Sequence, residues 1–167
     1  MEFSQRGNSM NFGGLSLLTV GIGAVAGLRS MTVPAVVALA AYLGWIDLSG
    51  SRLAFMGTTS AFVILTLGTL AEFIADQLPA TPARTTAAPL TARIAVGGLT
   101  GACLALAGHA LPWLGTFVGA LGAIVGAFAG YRAGTGLVRA LHVSDFAIAI
   151  PEDLIVIGLG VFVVSRF

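Results

Sequence analysis

The chain has 167 residues, of which 57% are hydrophobic and 9% charged, with a net charge of +1. Soluble domains carry about 25% charged residues, so a chain this poor in charge reads as an integral membrane protein. The near-neutral balance gives no basis for a nucleic-acid partner, the absence of lysine excludes Schiff-base chemistry, and the lone Cys103 cannot close an internal disulfide.

Residues 1–12 read as a polar N-terminal tail, in which Met10 is an alternative start. Arg6 followed by an apolar run imitates a signal peptide, but the later copy of the same motif cannot be one. Residues 13–167 read as a single transmembrane domain. The first apolar stretch covers 14–46 and is interrupted by Arg29, Ser30 and Pro34. A span needs about 20 residues, so the stretch suffices for one kinked span, or for two half-helices meeting near Arg29. The second span is expected over 53–77, ending in Glu72 and Asp76. A linker over 78–93 follows, where Pro79, Pro82 and Pro89 disfavour a continuous helix. Further spans are expected over 94–111, 115–140 and 146–164, with Trp45 and Trp113 at span ends as interfacial anchors.

The pattern predicts an all-α membrane protein of about five transmembrane helices, placed in the cell inner membrane as a multi-pass chain. Five spans with the N-terminus cytoplasmic put Arg6, Arg84, Arg93 and Arg139 on the inner side with the linker, against Arg52 and Arg166 outside, in keeping with the positive-inside rule.

GAVAGLR at 23–29 recurs as GAFAGYR at 126–132, each copy ending on an arginine inside an apolar stretch. With five spans the two copies cross the membrane in opposite senses. Spans one and two would then be an inverted repeat of spans four and five, an arrangement that places a transporter's site near the midplane. Gly122, Gly126, Gly130 and Gly134 form a ridge with a repeat of four, matched by Gly23 and Gly27 after Thr19. Small residues at this spacing let helix backbones approach closely, so the two ridges are expected to pack on each other, antiparallel.

Arginine is expensive inside a bilayer, so Arg29 and Arg132 require counter-charges. The candidates are Glu72, Asp76, Asp145, Glu152 and Asp153. Glu72 and Asp76 share one helical face. Pro151-Glu152-Asp153 has the composition of a helix start. Two readings of these charges stay open: structural ion pairs that lock broken helices, or a polar cavity in which arginine holds an anion and carboxylates carry protons or cations. Ser30, Thr32, Thr85 and Thr86 join the candidate set as polar ligands. No HExxH pair, phosphate loop or nucleophile elbow is present, so neither an enzyme nor a cofactor or metal site is expected.

The segments GLRSMTVPAVV (27–37), AEFIADQLPATPART (71–85), GAFAGYRAGTGL (126–137) and AIPEDLIVIG (149–158) resemble the small bacterial and plant membrane proteins of unknown-function family 4126. The resemblance implies an integral membrane protein and supplies no substrate. It directs attention to the polar residues of those segments, Pro79, Thr81 and Thr85 among them.

Taken together, these readings predict a transporter or channel for a small ion or charged solute. Its path would involve Arg29, Ser30, Glu72, Asp76, Arg84, Arg132, Asp145, Glu152 and Asp153. The alternative is a non-transporting membrane scaffold or assembly factor whose charges are structural. The expected partners are the lipid bilayer and further copies of the chain.

Overall fold

The computed structural model describes residues 12–76, 85–141 and 145–167, with side chains for all of these except 12 and 140–149. Residues 78–84 of the linker and residues 1–11 of the N-terminal tail, Arg84 and Met10 included, lie outside the described residues. Among the described residues there are six α-helices and no strand: α1 (Phe12–Leu28), α2 (Thr32–Tyr42), α3 (Thr59–Ala75), α4 (Ala87–Ala107), α5 (Pro112–Leu141) and α6 (Asp145–Val164), with a 3-10 turn at Ala54–Gly57 before α3. Two of them, α4 and α5, are long and apolar enough to cross a membrane.

The register of contacts fixes the direction of each helix. Leu15 packs on Gly108 while Arg93 reaches the carbonyl of Gly27, so α4 runs against α1. Gly97 faces Gly119 and Gly101 faces Gly115, so α5 runs against α4 and therefore along α1. Arg29 meets Asp153 and Gly21 meets Val163, which sets α6 against α1. Val36 lies at Gly160, so α2 runs with α6 and the chain reverses at 29–31. Met31 at Gly68 and Ala41 at Gly57 set α3 against α2. The six helices thus alternate in direction.

Two expectations are corrected by this register. The 14–46 stretch is not one kinked span: of the two arrangements the sequence allows, it is the pair of helices meeting near Arg29, with a reversal between them. Pro34 explains the break. It is the third residue of α2, where its missing N–H costs nothing, whereas in a continuous helix it would remove a hydrogen bond to Ser30 and clash there. The second copy of the motif has no proline after Arg132, and α5 continues to Leu141. The motif copies also run parallel, so the antiparallel crossing that an inverted repeat requires is not found between α1 and α5.

The glycine seam itself is present. A Cβ on Gly23 would strike the backbone of Gly119, and one on Gly126 the backbone of Ala24. Gly27 and Gly122 are equally closed by the facing helix. Gly115 and Gly119 extend the seam to α4, where Gly97 and Gly101 face them. The ridge stops there: Gly134 has open space around it, and Gly130 is half-buried.

Two smaller corrections concern helix ends. α4 begins at Ala87, inside the expected linker, with Pro89 harmless in its first turn. Pro151 lies inside α6, which starts at Asp145, so Pro151-Glu152-Asp153 is not a helix start.

A core of Ile22, Val33, Val37, Leu104 and Val156 lies between α1, α2, α4 and α6. Outward the pattern inverts. No residue of α3 is buried, and Ile64, Leu67, Leu70 and Ile74 are exposed. On α5 the exposed Phe117, Leu121, Val125 and Phe128 form one stripe opposite the glycine seam.

The two ends of the bundle differ. The end where α1 begins holds the exposed Trp45 and Trp113 with Asp47, Arg52 and Arg166. Asp47 is a solvent-facing carboxyl held below its usual range, chiefly by the Ser49 hydroxyl and amide, with a smaller pull from His109. The other end gathers Arg29, Glu72, Asp76, Arg93, Arg132, Arg139 and Asp153. α1 begins at the end opposite Arg93 and Arg139; Arg6 and Arg84, grouped with them in the sequence, lie outside the described residues.

Helices α2 and α4 close at the tryptophan end by the same motif. The residue past the cap turns left-handed while the next amide reaches back over a full turn: Trp45 N to Ala40 O (2.8 Å) in α2, and Ala110 N to Ala105 O (2.7 Å) in α4. In α2 the left-handed residue is Gly44; in α4 it is His109, at φ 56°. A side chain there costs about 1 kcal/mol. His109→Gly should therefore raise stability by about that amount, read as a higher unfolding midpoint in detergent. An unchanged or lower midpoint would show that His109 earns its conformation through contacts.

Candidate functional site

The reversal between α1 and α2 leaves two helix ends facing the charged end of the bundle. The last carbonyls of α1 and the first amides of α2 have no partner within their own helices. Each end is served by a charge from elsewhere in the chain. Arg93 of α4, 5% exposed, donates from Nε to the Gly27 carbonyl (3.1 Å) and from Nη1 to the Pro89 carbonyl (3.3 Å). Glu72 of α3 accepts from the Ser30 amide (2.8 Å), the Ser30 hydroxyl (2.5 Å) and the Met31 amide (2.8 Å). A cation at a helix C-terminus and an anion at an N-terminus both complement the helix dipole. The two capping groups also approach each other, Arg93 Nη2 lying 3.9 Å from Glu72 Oε1.

Arg29 sits in the reversal itself and is 2% exposed. Its Nη1 meets Asp76 Oδ2 of α3 at 2.5 Å, and its Nε meets Asp153 Oδ1 of α6 at 2.5 Å. The second contact is an ion pair without hydrogen-bond alignment, since Nε satisfies no hydrogen-bond geometry. Nη2 also has no hydrogen-bond partner among the described residues. The ring of Phe73 lies 5.8 Å from the guanidinium carbon, covering it with a π face.

The site therefore joins the α1–α2 reversal, α3, α4 and α6 through two guanidinium groups and three carboxylates. With all five ionised the sum is −1. Glu152, half-buried beside Asp153, adds to the acidic side. Among the described residues no group of three His, Cys, Asp or Glu side chains is placed to hold a metal ion. The small crevice at the tryptophan end, lined by Leu15, Thr19, Ala105 and Leu114, is apolar and does not reach the charges.

Of the residues singled out in the sequence, Arg29, Ser30, Glu72, Asp76 and Asp153 are brought together. Arg132 is not: it is exposed on α5, and α5 supplies no charge to the cluster. Asp145 begins α6 at this end of the bundle, with its side chain outside the described ones. Arg84 lies outside the described residues altogether. Arg93 is the site residue that sequence reasoning assigned to topology alone. Its signal was present, an arginine one turn before the GGLTG seam of α4, but its acceptor lies 66 positions away.

The Glu72 cap has a measurable consequence. Glu72→Gln keeps the shape but replaces one acceptor oxygen with an NH2 group. Either Ser30 or Met31 then loses its acceptor in a place where water is scarce. We expect a cost of about 1–3 kcal/mol, read as a lower unfolding midpoint with faster amide exchange at the start of α2. Unchanged exchange would mean that α2 is capped by other means.

Residues 16–165 match the family described as a domain of unknown function, DUF4126. No curated protein and no solved structure matches the chain. Because the match spans nearly the full length, the chain belongs to the DUF4126 family.

Proposed function

We propose that this chain is a multi-pass integral membrane protein that moves a small ion or charged solute past the Arg29 cluster. The membrane reading is supported by the inversion of polarity: large apolar side chains face outward on α3, α5 and α6, while Arg29 and Arg93 are buried at one end. Lipid tolerates the former, and charges inside a bilayer-spanning bundle mark pathways by default. α1 is also about 25 Å long, close to the thickness of the hydrocarbon core. In this reading the charged end is cytoplasmic, since it carries Arg29, Arg93, Arg132 and Arg139 against Arg52 and Arg166 at the other. That places the start of α1 and the end of α6 on the outer side. A chain of this size buries limited surface, so the working unit is a homo-oligomer.

The observation that carries the transport reading is the state of Arg29. Its Nη2 donor is buried without a hydrogen bond among the described residues, at a break between two helices. An unmade hydrogen bond of this kind costs about 1–3 kcal/mol, more for a charged group, and a passing acceptor would relieve it. Broken helices whose ends meet charges are also how transporters build ion sites. One observation favours the scaffold reading instead: Arg29 is closed off by Asp76 and Asp153, as a purely structural ion pair would be.

Flux into proteoliposomes over a panel of small cations and anions decides between them. Transport predicts flux for at least one ion in the wild type and its loss in Arg29→Ala and Glu72→Gln, judged on protein that elutes as a folded species. Equal flux in all three, or none above empty liposomes for any ion, would sink the proposal and leave the scaffold. Reporter fusions at the two ends of the chain check the orientation: active extracellular reporters at both are expected.

A further inference from the structure

Arg132 opened the case for a paired site and is left outside it. Its surroundings point elsewhere. α5 runs over Pro112–Leu141 and has 30 residues, about 45 Å against a hydrocarbon core of about 30 Å. Trp113, 63% exposed, marks an interface at its first turn. The excess of about 15 Å, or about ten residues, then falls at the other end, from near Arg132 to Leu141.

This protruding segment has a distinct chemistry. Arg132 and Arg139 are seven residues apart, two turns of helix, so they share a face. Both are exposed. α5 contains no Asp or Glu that could neutralise them. Among the described residues, a Cβ at Gly134 or Gly136 would meet nothing within 4 Å, so no described element packs on these two positions. Directly below, the exposed Phe128 and Tyr131 continue the apolar stripe of Phe117, Leu121 and Val125. One surface therefore presents apolar side chains at hydrocarbon depth and, at head-group depth, two guanidinium groups that make no ion pair among the described side chains.

We infer that the Arg132–Arg139 face of α5 binds an anionic phospholipid, its phosphate held by the two arginines and its acyl chains lying along the aromatic stripe. A guanidinium fork matches phosphate oxygens in a two-point contact, which lysine could not reproduce. The stripe distinguishes a lipid from free phosphate, because a soluble anion has no use for it. The inference rests on the membrane reading above and is independent of transport.

The test uses the full purified chain in detergent, with native mass spectrometry and thermal unfolding as readouts. Phosphatidylglycerol, phosphatidylcholine and inorganic phosphate are added in separate arms. Phosphatidylglycerol is expected to remain bound and to raise the unfolding midpoint; the other two are expected to do neither. Juxtamembrane arginines contribute about 1 kcal/mol each, so Arg132→Gln with Arg139→Gln should weaken phosphatidylglycerol binding about thirtyfold. Arg52→Gln with Arg166→Gln at the opposite end should leave it unchanged. Equal retention of both lipids, or a double variant that binds as the wild type does, overturns the inference. An equal midpoint shift from inorganic phosphate alone overturns the lipid assignment in favour of a free-anion site. Failure of the membrane reading looks different: the protein would then leave the membrane fraction in an alkaline wash, before any lipid is compared.

Discussion

Gly126→Leu is expected to destroy the packing of α1 on α5, whereas Gly134→Ala, eight residues along the same helix, is expected to leave the protein at least as stable. At Gly126 any Cβ would overlap the carbonyl of Ala24 and its neighbouring backbone atoms. Backbone cannot swing aside as a side-chain tip can. α5 also cannot retreat, because Gly115 and Gly119 are pressed against Gly101 and Gly97 of α4 in the same way. Overpacking costs about 1–3 kcal/mol where side chains give way, and more is expected where only main chain is available. A drop of that size is a large part of the 5–15 kcal/mol typical of a folded protein. At Gly134 a methyl group meets open space, and alanine is better than glycine in a helix by about 1 kcal/mol. Unfolding in graded denaturing detergent measures both. Gly126→Ala already tests the geometry: if it unfolds with the wild type, α1 and α5 do not approach as closely as described.

That seam shows how far the sequence could be read. The spacing of Gly23, Gly27, Gly122 and Gly126 correctly paired the helices, because small residues every three or four positions leave little other use for the face. It could not give their relative direction. A smooth ridge has no polarity, and it fits a second ridge in either sense. Direction follows from the number of reversals between the two helices, and one of those was hidden in the 14–46 stretch. Pro34 signalled a break there. Whether the chain then carried on or turned back depended on Glu72, which takes the Ser30 and Met31 amides from 42 and 41 positions away. Pairings of that sequence separation leave no local trace. The same is true of Arg93 and the Gly27 carbonyl. The charges of the site were therefore legible as residues needing partners, while the partners were legible only as a short list of acids. Arg132 falls outside the Arg29 cluster for a related reason. Its sequence context copies that of Arg29, but its environment is set by the length of α5, which no local pattern states.

Arg29→Ala is expected to cost about 3–5 kcal/mol, the toll of breaking a buried ion pair from one side. Asp76 and Asp153 would be left facing each other across the vacated space, and Phe73 would lose the cation near its ring. Adding Asp76→Asn and Asp153→Asn to Arg29→Ala should recover most of that loss. The larger part of the penalty comes from uncompensated charge, which asparagine removes while keeping the shape of aspartate. The same unfolding series measures this: single variant low, triple variant close to wild type. If the triple variant is no better than Arg29→Ala, the loss lies in packing and the ion-pair account fails. The triple variant then separates the two roles of the cluster in a way no single substitution can. It keeps Glu72 and Arg93, and so keeps both helix ends at the reversal capped, while removing the charges around Arg29. Flux that persists in it assigns those charges to holding α3 and α6 at the reversal. Flux that vanishes from a folded triple variant assigns them to the moving ion, because the structural contribution has already been restored.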